Sequence, residues 1–268
     1  MSATFERPSE SGNQDQPAPD TVDRIFTTGA TCRLILDNPR GRVRVTGWDQ
    51  PQVHVVATKR LDPSRARFLA TTIEARQDGD AVTVRTVVDP GESFADRADL
   101  PSVAAEVFRA VTDLLGANGG PTEVDYDVHV PRQSTIDLKG VSSEFAVVGT
   151  SGSLRVRAVS GSIDTQDVTG SLDLGSVSGE IDARGVDGQV RSDSVSGALR
   201  VEGRLASLRA KTVSGEIEVI GSLSPDGSIE LASVSGSASL QIPASTRASI
   251  VLRGLSGEVR CDLPVSVD

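Results

Sequence analysis

Five serines recur at one place in a repeated phrase, and a serine hydroxyl is the first side chain to test for nucleophilic chemistry. Ser160, Ser178, Ser196, Ser214 and Ser235 each follow a valine and precede a glycine. A hydroxyl becomes a nucleophile only with a base beside it and an acid orienting that base. The chain has two histidines, His54 and His129, both ahead of the repeat and inside alternating, strand-like segments. No flanking motif singles out one serine for such a site. A residue that returns once per repeat reads instead as a stacked hydroxyl ladder, so no catalytic residue is assigned and the chain is expected not to be an enzyme.

Carboxylates are the second chemical resource. After each phrase the polar positions carry Glu144, Asp164, Glu180, Asp182, Glu216, Glu218 and Glu258 against Arg200 and Arg260. The alternate half-repeats carry Arg155, Arg191 and Arg209 against Asp173 and Glu230. Carboxylates stacked at the strand spacing of about 4.8 Å repel one another, and a cation could relieve that strain. The double glycine and Gly-x-Asp of the calcium-binding nonapeptide are nevertheless absent. A solvated charged face is the simpler reading, with no metal and no cofactor. Glu180, Asp182, Glu216 and Glu218 are taken as the candidate interaction face. Cys32 and Cys261 make no metal-ligand pattern, and both a bridge and two buried thiols remain open.

The elements that position these residues follow from the period. Val-Ser-Gly starts at Val159, Val177, Val195, Val213 and Val234, with variants at Val141 and Leu255, and weaker copies such as Val168 and Val186 lie midway. Counting the valine as position one of nine, position five reads Phe145, Leu154, Ile163, Leu172, Ile181 and onward. Position seven reads Val147, Val156, Thr165, Leu174, Ala183 and onward, while positions four and six are mostly polar. Such alternation describes a β-strand with one buried face. Two nine-residue half-coils close one 18-residue coil, which predicts an all-β fold: a parallel β-helix, or β-solenoid, of six to seven two-sheet coils. Positions one, five and seven are expected to be buried. Two longer spacings place three-residue insertions near Ser222–Ser224 and Pro243–Ser245, at one corner of successive coils. A left-handed hexapeptide solenoid is excluded because an aliphatic step of six from Val177 reaches Ala183 and then Gln189. The repeat also grows no loops of the kind that wall the sugar cleft of pectate-lyase-like enzymes.

Ahead of the solenoid (132–268), residues 1–24 read as a disordered tail and 25–131 as a β-rich lead-in. Strands are expected at Leu34–Leu36, Val43–Thr46, Val53–Thr58, Thr71–Ala75, Val82–Val88 and Val124–Val130, with a hairpin turn at Asp78-Gly79-Asp80. One inserted amphipathic helix is expected at 101–115, where Val103, Val107, Val111 and Leu114 share a face that would cover an end or flank of the solenoid.

Composition narrows the partners. Only 3% of residues are aromatic, and the 26 glycines suit a chain that turns a corner every half-coil. A net charge of −10 opposes binding to nucleic acid or to an anionic membrane surface. No apolar run reaches the roughly 20 residues that span a bilayer, and residues 1–20 are not a secretory signal. The expectation is a soluble, cytoplasmic chain without membrane insertion.

Val177-Ser-Gly-Glu-Ile-Asp-Ala183, Val213-Ser-Gly-Glu-Ile-Glu-Val219, the lead-in Asn38-Pro-Arg-Gly-Arg-Val-Arg-Val-Thr-Gly-Trp-Asp49 and Tyr126-Asp-Val-His-Val-Pro131 carry a resemblance. Over roughly residues 25–265 the chain resembles the bacterial putative-adhesin family, a β-strand-repeat domain. That resemblance implies adhesion, with other members acting at the cell surface, and brings no catalytic residues. The combined expectation is a non-enzymatic scaffold or adhesin-like interaction module whose partner is a protein or a glycan. A rod self-associating through its solenoid ends is the alternative, and a carbohydrate-active enzyme is the third reading.

Overall fold

The computed structural model describes residues 20–88, 121–243, 246 and 249–256. The period-two alternation becomes a β-solenoid of about six turns with mostly parallel pairing. Its coils are built from β7 (Gln133–Val148), β8 (Ser151–Ser160), β9 (Ile163–Gln166), β10 (Thr169–Ser178), β11 (Ile181–Ser196), β12 (Leu199–Ser214), β13 (Ile217–Ser235), β14 (Ala238–Gln241) and β15 (Ser249–Ser256). The longer strands run around a corner, so each contributes to both walls of the rod. Register is in phase at one coil per step: Leu172 pairs with Leu154 and Val190, and Ile181 with Ile163 and Leu199.

The core is the stack of positions five and seven from the two walls. Leu154, Ile163, Leu172, Ile181, Leu199 and Ile217 are all buried, as are Val156, Leu174, Val201 and Val219. Aliphatic side chains one coil apart stand in register, so each coil buries its apolar face against its neighbours. The core thins towards the last described coils, where Ala238 and Leu240 are half-buried and Leu252 is 37% exposed.

The expectation for position one needs correction. Val159, Val177, Val195, Val213 and Val234 are 44–47% exposed, whereas Val168 and Val186 of the weaker copies are buried. The two corners differ in backbone. At the weaker corner Gly149, Asp167 and Gly185 adopt φ of 65°, 53° and 64°, a left-handed step that resets strand alternation and turns the next side chain inward. At the Val-Ser-Gly corner the strand keeps its alternation up to the serine, where β8, β10, β11, β12 and β13 end. Ala158, Ser176, Ser194 and Thr212 point in as a third buried column, so the valine after each points out.

The lead-in strands continue both walls. β2 (Thr31–Trp48) is itself a full coil in register with β7, from Thr31 against Gln133 to Thr46 against Val148. On one wall β5 (Ala81–Val88) pairs with β2, and β4 (Thr71–Asp78) folds back on β5 through a tight turn at Gly79-Asp80. On the other, β6 (Val124–Pro131) pairs with β2, β3 (Gln52–Lys59) lies antiparallel to β6, and β1 (Thr21–Thr27) antiparallel to β3. All six lead-in strands read from alternation are present. β1 begins at Thr21, inside the stretch read as tail. A short helix, α1 (Arg65–Ala70), was not foreseen; Ser64 caps it and it tucks Phe68 into the core. The helix expected at 101–115 lies outside the described residues, and among those described this end of the rod is closed by antiparallel strands. A buried knot ties the two walls here: Thr86 Oγ1 donates to Asn38 Oδ1 at 3.0 Å and shares a 2.7 Å bond with Tyr126 Oη.

The first insertion falls slightly later than expected. Leu205 pairs with Leu223 but Ser207 with Ser228, which puts the extra residues of that coil at 224–227. The next coil keeps the same length, with Gln241 in register with Ile220 and Ser249 with Ser228.

Candidate binding surfaces

The two walls present different chemistry. On the wall after Val-Ser-Gly, position six stacks as Asp164, Asp182, Arg200 and Glu218 in successive coils. Arg184 donates to Asp182 from both Nε and Nη2, and Arg200 Nη1 donates to Glu218 Oε2 at 2.8 Å. Asp182 and Glu218 of the expected interaction face are therefore engaged in ion pairs, and Asp182 is buried. Glu180 and Glu216 are exposed, and the backbone ladder runs from Glu180 through Ala198 to Glu216. They thus stand two coils apart, about 10 Å, so the four residues share a wall without converging on a point. From Glu144 to Glu218 this carboxylate wall carries seven acidic side chains against Arg184 and Arg200.

The opposite wall is arginine-rich. One column reads Asp137, Arg155, Asp173, Arg191, Arg209 and Glu230 in register. Beside it runs a hydroxyl and amide column of Ser153, Ser171, Gln189, Ser207 and Ser228. Gly175 leaves room for Arg157 to lie over it, and Arg157 then reaches Asp173 Oδ2 at 2.7 Å and the Asp173 carbonyl at 2.9 Å. Arg155 Nε reaches the same carboxylate at 3.1 Å. Burial works to raise the Asp173 pKa, but Arg157 and Arg155 together hold it below the usual carboxylate range. Arg191 pairs with Asp193 at 3.0 Å and Arg209 with Glu230 at 2.6 Å. Between these columns lies a shallow trough of about 460 Å3 that crosses five coils from Ser153 to Ser228. In the two register columns that start at Asp137 and Lys139, seven cations (Lys139, Arg155, Arg157, Arg191, Arg209, Lys211, Arg253) stand against four carboxylates (Asp137, Asp173, Asp193, Glu230).

The serines of the phrase behave as a ladder. Ser160 Oγ donates to the Val141 carbonyl at 3.0 Å and lies 3.3 Å from Ser142 Oγ, and Ser196 Oγ donates to the Val177 carbonyl at 3.3 Å. Their hydroxyls serve the backbone of the preceding coil. Cys32 is buried against Ser134 Oγ at 3.2 Å, and burial pushes its thiol up; Cys261 lies outside the described residues.

The histidines sit elsewhere and in company that sequence reading missed. His54 and His129 are direct cross-strand partners on β3 and β6. Trp48, at the end of the neighbouring β2, brings its ring to 5.2 Å from His129 and 6.3 Å from His54, and the two imidazoles are 6.1 Å apart. All three alternate with buried residues (Val53 and Val55, Val128 and Val130), so they face outward. Trp48 Nε1 donates to the Gln52 carbonyl at 2.8 Å, and His54 Nε2 is 2.8 Å from Asp23 Oδ1. The outward parity of each ring was legible from alternation, but their meeting depends on strand pairing.

No family model matches the chain, and no curated protein matches it. Among solved structures it is similar to a putative adhesin from Bacteroides fragilis, with 13% identity, a TM-score of 0.43, and 89% of this chain and 99% of that one covered. It is also similar to a putative lipid binding protein from Parabacteroides distasonis, with 12% identity, a TM-score of 0.43, and 92% and 96% covered. A putative adhesin from Parabacteroides merdae aligns with 9% identity, a TM-score of 0.38, and 91% and 98% covered.

Proposed function

We propose that this chain is a non-enzymatic interaction module, a rigid β-solenoid that binds an extended, acidic stretch of a protein or glycan along its arginine wall. The trough from Ser153 to Ser228 is the observation that carries this reading. It is shallow and open, which suits a polymer laid along the rod better than a small molecule held for reaction. Its cations outnumber its carboxylates in a chain whose net charge is −10, so the wall is a basic strip on an acidic body. The existing ion pairs do not oppose ligand exchange strongly, because exposed pairs contribute only about 0–1 kcal/mol each. The serine and glutamine column supplies neutral donors alongside.

Polygalacturonate and poly-glutamate are the two probes for a glycan and a protein polyanion. Binding of either to immobilised full-length chain at low ionic strength, weakening with salt and lost in Arg191→Glu/Arg209→Glu, supports the proposal. Equal binding by that double variant, or no binding of either polymer, overturns it.

One observation favours a second reading, lateral self-association. The two walls have opposite charge excess and the same coil repeat, so the carboxylate wall of one copy is commensurate with the arginine wall of another. Such a contact is heterologous and propagates rather than closes. Sedimentation velocity across concentration and salt separates it from a monomeric module.

A further inference from the structure

Eleven large apolar side chains are exposed among the described residues, and five of them fall on one line. Val159, Val177, Val195, Val213 and Val234 stand one per coil at the Val-Ser-Gly corner, each 44–47% exposed. Their flanking residues pair in register from coil to coil, as Ser176 and Ser178 around Val177 pair with Ala158 and Ser160 around Val159. Four coil steps of about 4.8 Å make an apolar ridge about 19 Å long. Beside it, Ser160 and Ser196 spend their hydroxyls on the Val141 and Val177 carbonyls, so covering these serines strands neither donor.

The ridge divides unlike flanks. Two residues before the valines runs a column of Lys139, Arg157, Gly175, Asp193, Lys211 and Ala232. Three residues after them runs a column of Glu144, Ser162, Glu180, Ala198, Glu216 and Ser237. The first carries three cations against one carboxylate, and the second carries three carboxylates and no cation.

We propose that the valine ridge is the contact of a closed dimer, in which a second copy of this chain lies alongside, parallel and in register. The period selects the occupant. Side chains on one face of an extended peptide recur about every 6.6 Å, and turns of a helix about every 5.4 Å. Over the length of the ridge even the helix falls half a step out of phase. A second copy matches at every coil, as stacked identical side chains do across a dry β-interface. Charge selects the orientation. A two-fold along the rod axis sets the basic flank of each copy against the acidic flank of the other, with Lys211 level with Glu216 and Lys139 level with Glu144. A two-fold across the axis would set like flanks together. The contact is isologous and closes at two copies, unlike the stacking of opposite walls. Arg155 and Arg209 lie four residues before their valines and outside the contact, so each copy keeps its trough and the dimer does not depend on polyanion binding.

Sedimentation equilibrium of the full-length chain at physiological ionic strength, from about 1 to about 300 µM, tests this. The strip is at the small end of specific interfaces, so a monomer–dimer equilibrium with a dissociation constant on the order of 10–100 µM is expected. Val177→Thr/Val195→Thr/Val213→Thr keeps the β-branched shape but puts hydroxyls along the contact. It should weaken the dimer at least about tenfold while leaving the urea midpoint of the dilute monomer unchanged. Lys211→Glu and Glu216→Lys should each weaken it several-fold, and Lys211→Glu/Glu216→Lys should restore it, because the exchanged charges meet again across the two-fold. Arg191→Glu/Arg209→Glu, which removes the proposed polyanion contact, should still dimerise. A chain monomeric to about 300 µM, assembly beyond the dimer, or a dimer lost in Arg191→Glu/Arg209→Glu overturns the proposal. So does a dimer that the triple threonine variant leaves untouched or that Lys211→Glu strengthens.

Discussion

Arg200 stands between Asp182 of the preceding coil and Glu218 of the next, in register with both, and its Nη1 reaches Glu218 Oε2 at 2.8 Å. This guanidinium interrupts the column of carboxylates on that wall. Asp182 is independently held by Arg184 on its own strand. The four acidic residues that look like one face in the sequence are thus divided between two ion-paired groups and two free ones, Glu180 and Glu216.

Reversing that charge is the direct check. Arg200→Glu should lower unfolding stability by about 1–2 kcal/mol, since it removes one cross-strand attraction and adds two like-charge contacts. Arg200→Gln should cost less than about 1 kcal/mol. Urea unfolding in low and high salt distinguishes them, with the Arg200→Glu deficit shrinking as salt screens it. A deficit independent of salt would show that lost packing, not charge, is responsible.

Gly197 at the Val-Ser-Gly corner has φ of 124°, and a Cβ there would lie 2.3 Å from the Gly179 carbonyl oxygen of the preceding coil. Gly197→Ala must therefore either strain its own backbone or push neighbouring coils apart. The expected loss is about 2–4 kcal/mol, measured by chemical denaturation. Gly79→Ala, in the open hairpin turn where a Cβ would meet nothing within 4 Å, carries only the backbone strain of φ 57° and should cost about 1–2 kcal/mol.

The two valine corners give a paired prediction. Val195→Thr on the exposed ridge should change stability by less than about 0.5 kcal/mol. Val186→Thr, at a buried corner, places a hydroxyl in the core and should cost about 1–3 kcal/mol. Equal losses at the two sites in thermal or urea unfolding would overturn the assignment of inward and outward corners.

Burial pushes the Tyr126 phenol up to about 12, although its bond with Thr86 acts the other way. A folded-state pKa raised above the unfolded value near 10 gives stability that is complete below about pH 10 and lost as pH rises through 12. The loss over that window should be roughly 2–3 kcal/mol. Tyr126→Phe lacks this dependence. It should be less stable at pH 8 by about 0.5–1.5 kcal/mol for the missing hydrogen bond and should overtake the parent by pH 12. Stability curves of the two chains that stay parallel to pH 12 would count against the buried phenol.

Local alternation made much of this architecture readable. Positions five and seven are inward in every fully packed coil because strand side chains have a period of two, and the repeat presents that period again and again. The lead-in strands were visible for the same reason. The Val-Ser-Gly valine was misplaced because the two half-coils look alike as sequence. What separates them is the left-handed step at Gly149, Asp167 and Gly185 against a continuous strand through Ala158, Ser176 and Ser194. A phrase of nine letters carries no mark of that backbone difference. The short helix α1 escaped because six residues are too few to show a helical period.

The sequence by itself determined the coil length, the inward aliphatic columns and the separation of an acidic wall from an arginine-rich one. Each follows from residues nine or eighteen apart, a distance over which the repeat dictates the register. Tertiary structure alone decided which corner buries its valine, which carboxylates are neutralised by a neighbour, and that Trp48, His54 and His129 meet in one cluster. The last of these depends on β3 lying antiparallel to β6 while β6 runs parallel to β2. Those pairings join segments far apart in the chain, and alternation specifies which way a side chain faces, never which strand lies beside it.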